Sequence, residues 1–414
     1  MSRSDTIPPE DRDLVSIDAA RRRMLSLVQR LDGEVASVLA ARGQALDEDV
    51  TSDVDLPPFD ASAMDGYAVR AADLAGATPD RPQRLRVVAH LPAGHVDAPS
   101  LGSGEAARIM TGAPLPPGAD AVVIVEETDG GTDTVAIRTA ARRGAHVRRR
   151  GESVRRGVVA LARGTRIRPP EQALLAAVGR REVRVVRRPR VAIVTTGDEL
   201  CPPEARPGPG QIRDANRWGL HGQLEALGAV PLDLGLVPDD AARLRRVIRD
   251  AVERADAVIT TGGVSVGDYD LTREILRELG EIHVWRIAMK PGKPQAFGTI
   301  AGKPVFGLPG NPVSSLIVFD QLVRLALLAM AGLPPVGRRR HRAVLDQPLA
   351  KAASRTHVLG AWIEERDGVL HARPSGPQGS GNLLALTRAN GLMILGRAVR
   401  VLEPGAEVEV ELWD

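Results

Sequence analysis

The chain has 414 residues, 43% hydrophobic and 26% charged, with a formal net charge of +3. That is room for about three domains with buried cores, and the composition excludes disordered, collagen-like and membrane-embedded classes. A single cysteine, Cys201, excludes an internal disulfide and a cysteine-built zinc site.

In chain order, residues 1–14 read as a polar tail without the apolar core of a signal peptide. Residues 15–45 place Val15, Ala19, Leu25, Val28, Leu31, Val35, Val38 and Leu39 at helical spacing, which predicts one or two helices. Over 51–140, short β-type runs (RLRVVAHL, AVVIVEET, TVAIRTA) alternate with Pro- and Gly-rich turns, as in a small β-rich domain. Residues 142–179 add two short strands and a helix. Their register resembles the N-terminal part, so the β-rich domain reads as an insertion into an elongated domain built from 15–50 and 141–187.

Residues 138–190 hold 17 Arg against three acids, Glu152, Glu171 and Glu182. Such a run could bind a polyanion. It contains no aromatic residue for base stacking, and its arginines alternate with Val, Leu and Gly as on a strand. It reads as a solvated surface, with no nucleic-acid partner expected. Lysine is rare, only Lys290, Lys293, Lys303 and Lys351, so two lysines three residues apart stand out from an arginine-rich background.

From 188 to 333 the period changes. RVAIVTTGDEL, AVPLDLGLV, ADAVITTGG and HVWRIA are strands, alternating with helices RWGLHGQLEALG, AARLRRVIRDAVERA and YDLTREILRELG. That pattern predicts parallel βαβ units in a doubly wound α/β/α domain. A helix (VSSLIVFDQLVRLALLAMAG) closes it, its most apolar part, near 325–333, being shorter than the ~20 residues a membrane span needs. Residues 334–414 return to short strands, a small C-terminal β-barrel or sandwich. The fold class is multidomain α/β, and one cysteine with no span or leader favours a cytoplasmic protein away from membranes.

Ligands of an open α/β sheet sit beyond the carboxyl ends of its strands. Three loops there are candidates: TTGDEL (195–200), TTGGVSVGDYD (260–270) and GLPGNPVSS (307–315). Gly, Ser and Thr turns expose backbone N–H groups that bind phosphate-like anions. Asp198, Glu199, Asp268 and Asp270 would repel an anion unless a hard cation such as Mg²⁺ bridged them to it. Each loop alone could be a tight turn with a helix-capping Asp, and Asp270 is open between the cation site and such a cap. Three on one sheet edge, two carrying acids, favour a site. AMKPGKPQAFG makes Lys290 and Lys293 a rigid cationic bracket suited to an oxyanion. DLPPFDASAMDGYAVR gathers Asp60, Ser62 and Asp65 in a polar loop. GSGEAA (102–107) fits a dinucleotide fingerprint only formally, since no strand precedes it. No P-loop or metal-spaced histidines occur.

PPFDASAMDGYAV, RIMTGAPLPPGADAVV, TTGDEL, IRDANRWGL, TTGGVSVGDYD, AMKPGKPQAFG, GLPGNPVSS and QGSGNLLALTRANGL, in this order, resemble the molybdopterin molybdenumtransferases, the MoeA family, whose animal relative is the E domain of the scaffold gephyrin. The resemblance covers nearly the whole chain. It implies a cytoplasmic homodimeric enzyme of four domains, one like the adenylyltransferase acting a step earlier, and contacts with other molybdenum cofactor biosynthesis proteins. It implies insertion of molybdate into adenylylated molybdopterin, with Mg²⁺-dependent release of AMP.

It also implies roles. Thr196, Gly197, Gly262, Gly263, Ser265, Gly267, Pro309, Gly310, Asn311 and Pro312 would cradle the pterin phosphate or AMP. Asp198, Glu199 and Asp268 would hold Mg²⁺, with Asp214 beside them. Lys290 and Lys293 would bind molybdate, assisted by Arg355 and Ser380. Asp60, Ser62, Asp65 and Thr111 would complete the site of the other subunit. The alternatives are a non-catalytic scaffold or cofactor carrier of the same fold, and an adenylyl- or phosphotransferase related through the α/β domain alone.

Overall fold

The computed structural model describes residues 14–94, 96–263, 271–351 and 354–413. Two compact units emerge: residues 35–42 with 46–183, and residues 14–34, 43–45 and 184–413.

The first unit is β-rich. Five strands form one sheet in which Gly66–Val69 lies between Glu105–Ile109 and Ala121–Ile124, and Gln83–Leu91 pairs Glu105–Ile109 on one side and Thr134–Ile137 on the other. Tyr67, Val69, Ala106, Val123, Val135 and Ile137 are buried on one face, Ala68, Ala107, Ile109 and Val122 on the other, so period-two alternation feeds two small cores. The helix Pro169–Ala177 starts with prolines in its first turn, and Glu171 closes back on the Arg168 N–H at 2.9 Å. Several arginines of the run are paired within this unit: Arg149 with Asp60 at 2.6 Å, Arg150 with Asp55 at 2.6 Å, Arg163 with Asp47 at 2.8 Å, and Arg168 with Glu171 at 2.6 Å. Except for Glu171, those acids lie far back in sequence, which is why the run looks unbalanced by itself.

The second unit carries the doubly wound sheet. After helix α1 (Ile17–Leu25) its elements are β1 (Arg190–Thr196), α2 (Asn216–Leu227), β2 (Val230–Val237), α3 (Ala241–Arg254), β3 (Ala257–Thr261), α4 (Leu271–Leu279), β4 (Glu281–Arg286), β5 (Met289–Lys290), β6 (Pro294–Ile300), β7 (Lys303–Leu308) and the long α5 (Pro312–Met330). The sheet order is β2-β1-β3-β7-β6-β4, with β2, β1, β3 and β7 parallel. On β1, Val191 and Ile193 enter one core with α2 and α5, while Ala192 and Val194 enter the other with α3. Burying both faces needs the uninterrupted apolar run the sequence shows, each Val or Ile contributing about 1.5–3 kcal/mol.

Two expectations are corrected. The sheet is not wholly parallel: β6 runs antiparallel to both its neighbours, pairing with β4 from Glu281↔Thr299 through Arg286↔Pro294 and joining β7 through a tight Ala301-Gly302 hairpin, while β4 keeps the common direction. The N-terminal pattern gives one helix, α1, and then a strand at Gly33–Ser37; Val35 and Leu39 are 64% and 85% exposed, so the apolar spacing there lines no core.

α5 is long and apolar enough to cross a membrane by length and composition, but 83% of its apolar window is buried as the core helix of this unit. A π-turn at Phe319–Val323 interrupts it. There Gln321 takes a 2.9 Å hydrogen bond from Arg21 of α1 and donates at 2.8 Å to Glu411. Glu411 belongs to the barrel of β8 (Arg340–Leu345), β9 (Thr356–Arg366), β10 (Val369–Pro374), β11 (Gly391–Leu395) and β12 (Glu407–Leu412). Its order β9-β10-β8-β12-β11 closes through β9–β11, and Ala343, Leu345, Ala361, Ile363, Met393 and Val410 fill it. The fold thus comprises a doubly wound α/β/α domain with a closed C-terminal barrel, and a β-rich unit.

Candidate functional site

The carboxyl ends of β1, β3 and β7 meet at one edge. Gly262 follows β3 with φ +89°, and a Cβ there would lie 2.5 Å from the Thr196 carbonyl oxygen at the end of β1. Only glycine fits both that conformation and that approach. Gly310, after β7, lies against Gly262, since a Cβ on it would sit 3.6 Å from the Gly262 Cα. The Asn216 side chain at the start of α2 donates to the Gly310 carbonyl at 2.7 Å. Behind these turns, Thr195, Thr260 and Thr261 are fully buried, and their hydroxyls have no hydrogen-bond partner. Buried hydroxyls at strand ends without partners mark where polar ligand atoms would be accommodated.

The lysine bracket forms the opposite wall. Its turn is closed by a 2.8 Å bond from the Ile287 N–H to the Lys293 carbonyl. Gly292 has φ +100°, and a Cβ would stand 2.4 Å from Val318 Cγ2 of α5, so the turn sits tight on the helix. Lys290 belongs to β5, which joins the barrel by parallel pairing with β9, Met289↔Thr356 and Lys290↔His357. The barrel therefore brings in Arg355 and His357, and the Lys351 ammonium donates at 2.9 Å to the Arg355 carbonyl. The Val313 N–H in the first turn of α5 donates at 3.1 Å to the Ser380 carbonyl, fixing the QGSGN loop over the helix start.

Between these walls lies a cleft of about 950 Å³, lined by Glu199, Gly262, Gly263, Lys290, Lys293, Pro309, Gly310, Asn311, Pro312, Lys351, Arg355, His357 and Ser380 among others. Of its charged lining residues four are cationic and one, Glu199, is anionic. The N-terminus of α5, a 19-residue helix, adds its positive dipole end. Burial and the nearby Arg355, Arg400 and Lys290 push the Lys351 ammonium below its usual value, while burial and the cations Lys351, Lys290 and Arg355 lower the His357 imidazole to about 4. Both shifts describe a field waiting for negative charge.

At the acidic rim, Asp198 accepts from the Asp239 N–H at 3.0 Å, and burial together with the charges of Asp198 and Glu199 raises the Asp239 carboxyl above its usual range. That surplus of negative charge in hard oxygen donors fits Mg²⁺. Among the described residues no three His, Cys, Asp or Glu side chains converge as a ready-made metal cage. Asp268, Ser265 and Gly267 lie outside the described residues.

Asp214 ends the segment that pairs with the Glu199 loop, and its side chain is buried. Its carboxylate is 1% exposed and paired with Arg217 at 3.1 Å, and Arg217 also holds Asp233 at 3.1 Å. The Asp214 N–H bonds the Cys201 carbonyl at 3.0 Å, and the Ile212 N–H bonds the Glu199 carbonyl at 2.7 Å, so this pair braces the loop that carries Glu199. In the β-rich unit, Asp60 accepts from Arg149 and from the Arg150 N–H, Ser62 is buried and bonded to the Met64 backbone, and Asp65 accepts from both the N–H and the hydroxyl of Thr111 at 2.6 and 2.7 Å. Sequence reasoning missed Lys351 and His357. The rarity of lysine was the available signal for the first, and nothing local marks the second.

Three family models match the chain in succession: "MoeA N-terminal region (domain I and II)" over residues 15–179, "Probable molybdopterin binding domain" over 192–329 and "MoeA C-terminal region (domain IV)" over 342–413. The chain is 39% identical to molybdopterin molybdenumtransferase 2 of Mycobacterium tuberculosis, over 90% of this chain and 93% of that one. It is 36% identical to the molybdopterin molybdenumtransferase of Haemophilus influenzae, covering 96% and 98%. A solved molybdopterin biosynthesis MoeA protein from Pyrococcus horikoshii OT3 superposes with a TM-score of 0.83 at 28% identity, covering 97% of this chain and all of that one.

Proposed function

The chain belongs to the MoeA family of molybdopterin molybdenumtransferases, enzymes of molybdenum cofactor biosynthesis, and from that premise we propose that it inserts molybdate into adenylylated molybdopterin and releases AMP with the help of Mg²⁺. One observation carries the reading: a cleft whose lining combines the glycine turns at the strand ends with four cations.

Lys290 and Lys293 hold molybdate, a tetrahedral dianion, with Arg355 and Ser380 completing its surroundings. The turns at Thr196–Gly197, Gly262–Gly263 and Pro309–Pro312 accept the phosphate portion of the adenylylated substrate, their backbone N–H groups and the α5 dipole replacing its water. Asp198 and Glu199, with Asp268, would hold Mg²⁺, which when bound neutralises charge on the phosphoanhydride. This chain's part is positioning: it sets the dithiolene beside the oxyanion and excludes bulk water from the wall behind both. Asp214 acts through Arg217, keeping the Glu199 loop in place.

The proposal extends to a cytoplasmic homodimer in which Asp60, Ser62, Asp65 and Thr111 complete the partner subunit's site, receiving substrate from the preceding adenylyltransferase. The family resemblance supports this part. The test is reconstitution: purified chain, adenylylated molybdopterin, molybdate and Mg²⁺ yield AMP and active cofactor. A folded chain that binds the substrate without releasing AMP fails the proposal and leaves a carrier or scaffold.

A further inference from the structure

The cleft wall contains one titratable side chain that the reading above does not use. His357 on β9 is in register with Lys290 on β5, so the two side chains stand on neighbouring strands of one sheet. The imidazole is 6% exposed, it lines the cleft, and its Nε2 is buried with no hydrogen-bond partner. A buried imidazole nitrogen left unpaired is unfavourable until a ligand or a proton completes it. The groups around it are nearly all cationic. Lys290 comes from β5, Arg355 from the start of its own strand, and Lys351 from the segment before that strand. On the other flank, its β11 partner is the apolar Leu395. Lys293 and Glu199 complete the charged lining of the cleft.

In the empty cleft that environment keeps the imidazole neutral. A tetrahedral dianion on the lysine bracket offsets two of those positive charges, so a fifth cation costs far less than in the empty cleft. We propose that His357 is a further anion-binding residue of this site, taking up one proton from solvent when a doubly charged oxyanion settles against Lys290 and returning it when the anion leaves. The inference rests on the oxyanion reading of the bracket given above. By linkage, oxyanion affinity falls as pH rises through the bound-state titration of His357 and is flat above it, with a limiting slope of about tenfold per pH unit. A tetrahedral monoanion such as perchlorate gains less, so the residue also favours dianions.

The experiment is calorimetric titration of the full chain with sulfate and with dilute molybdate, both dianionic between about pH 6 and 8, in buffers of differing ionisation enthalpy. Wild type should take up a substantial fraction of one proton per anion at the acid end and progressively less towards the alkaline end. His357→Asn, with wild-type unfolding midpoint, should still bind sulfate but take up no proton, with an affinity that no longer depends on pH. Equal uptake in His357→Asn, or none in wild type, overturns the inference. Lys290→Ala/Lys293→Ala separates the two readings: loss of binding upholds the bracket, whereas undiminished binding removes the bracket reading and this inference with it. Wild type that binds neither anion also overturns both.

Discussion

Gly262→Ala isolates the contact on which the substrate wall depends. The residue sits at φ +89°, where a side chain costs roughly 1–2 kcal/mol relative to glycine. The new Cβ would also lie 2.5 Å from the Thr196 carbonyl oxygen, a backbone atom fixed by the β1 ladder. Relief requires the ends of β1 and β3 to part by most of an ångström, so the total comes to about 2–4 kcal/mol. Gly310→Ala is the control, because its Cβ meets only the Gly262 Cα at an ordinary 3.6 Å and carries no positive φ. Chemical denaturation and substrate affinity are read for both. Gly262→Ala should lower stability and weaken binding together, while Gly310→Ala should stay within about 0.5 kcal/mol of wild type and weaken binding only. Equal stability losses in the two variants, or a Gly262→Ala chain as stable as wild type, would refute the argument.

Lys290→Ala and Lys293→Ala should each raise the molybdate concentration needed for half-maximal turnover by about tenfold or more, the worth of a charge-assisted contact, seen in a molybdate dose response. Asp214→Asn should destabilise the chain by about 3 kcal/mol, because it breaks a pair with a 1%-exposed carboxylate, and should lower the melting temperature without raising the molybdate requirement. Glu171 is held at about 2, below its usual value, chiefly by the Arg168 side chain and despite some burial. Its contribution is therefore fully present above its unfolded value near 4.5 and is lost as pH falls towards 2. The difference in unfolding midpoint between wild type and Glu171→Gln should close across that window.

Much of this architecture is legible in the chain, and the reason is local. The runs VAIVTT and AVITT are buried on both faces of a parallel sheet, so no polar residue interrupts them until the ligand edge, where threonine and glycine take over. The lysine bracket is legible because its prolines and glycine fix a turn within five residues. The antiparallel β6 is not, since the strand–helix alternation that marks β4 does not reveal a hairpin of β6 and β7 beside it. Asp214 looks like a candidate acid beside TTGDEL, and only the fold shows its carboxylate sealed against Arg217. His357 and Lys351 reach the cleft through barrel register, 67 and 61 residues from Lys290 in sequence, a relation that no periodicity encodes. The arginine run misleads for the same reason, its acids lying up to 116 residues upstream.

The central claim is that this cleft unites an oxyanion with an adenylylated dithiolene. The direct measurement mixes the purified chain with adenylylated molybdopterin, molybdate and Mg²⁺, quantifies AMP, and assays the product by activating a cofactor-free molybdoenzyme. The account predicts AMP and active cofactor in equal amounts, both lost when either molybdate or Mg²⁺ is omitted. A folded chain that binds the adenylylated substrate, yet produces neither AMP nor active cofactor under these conditions, would contradict it.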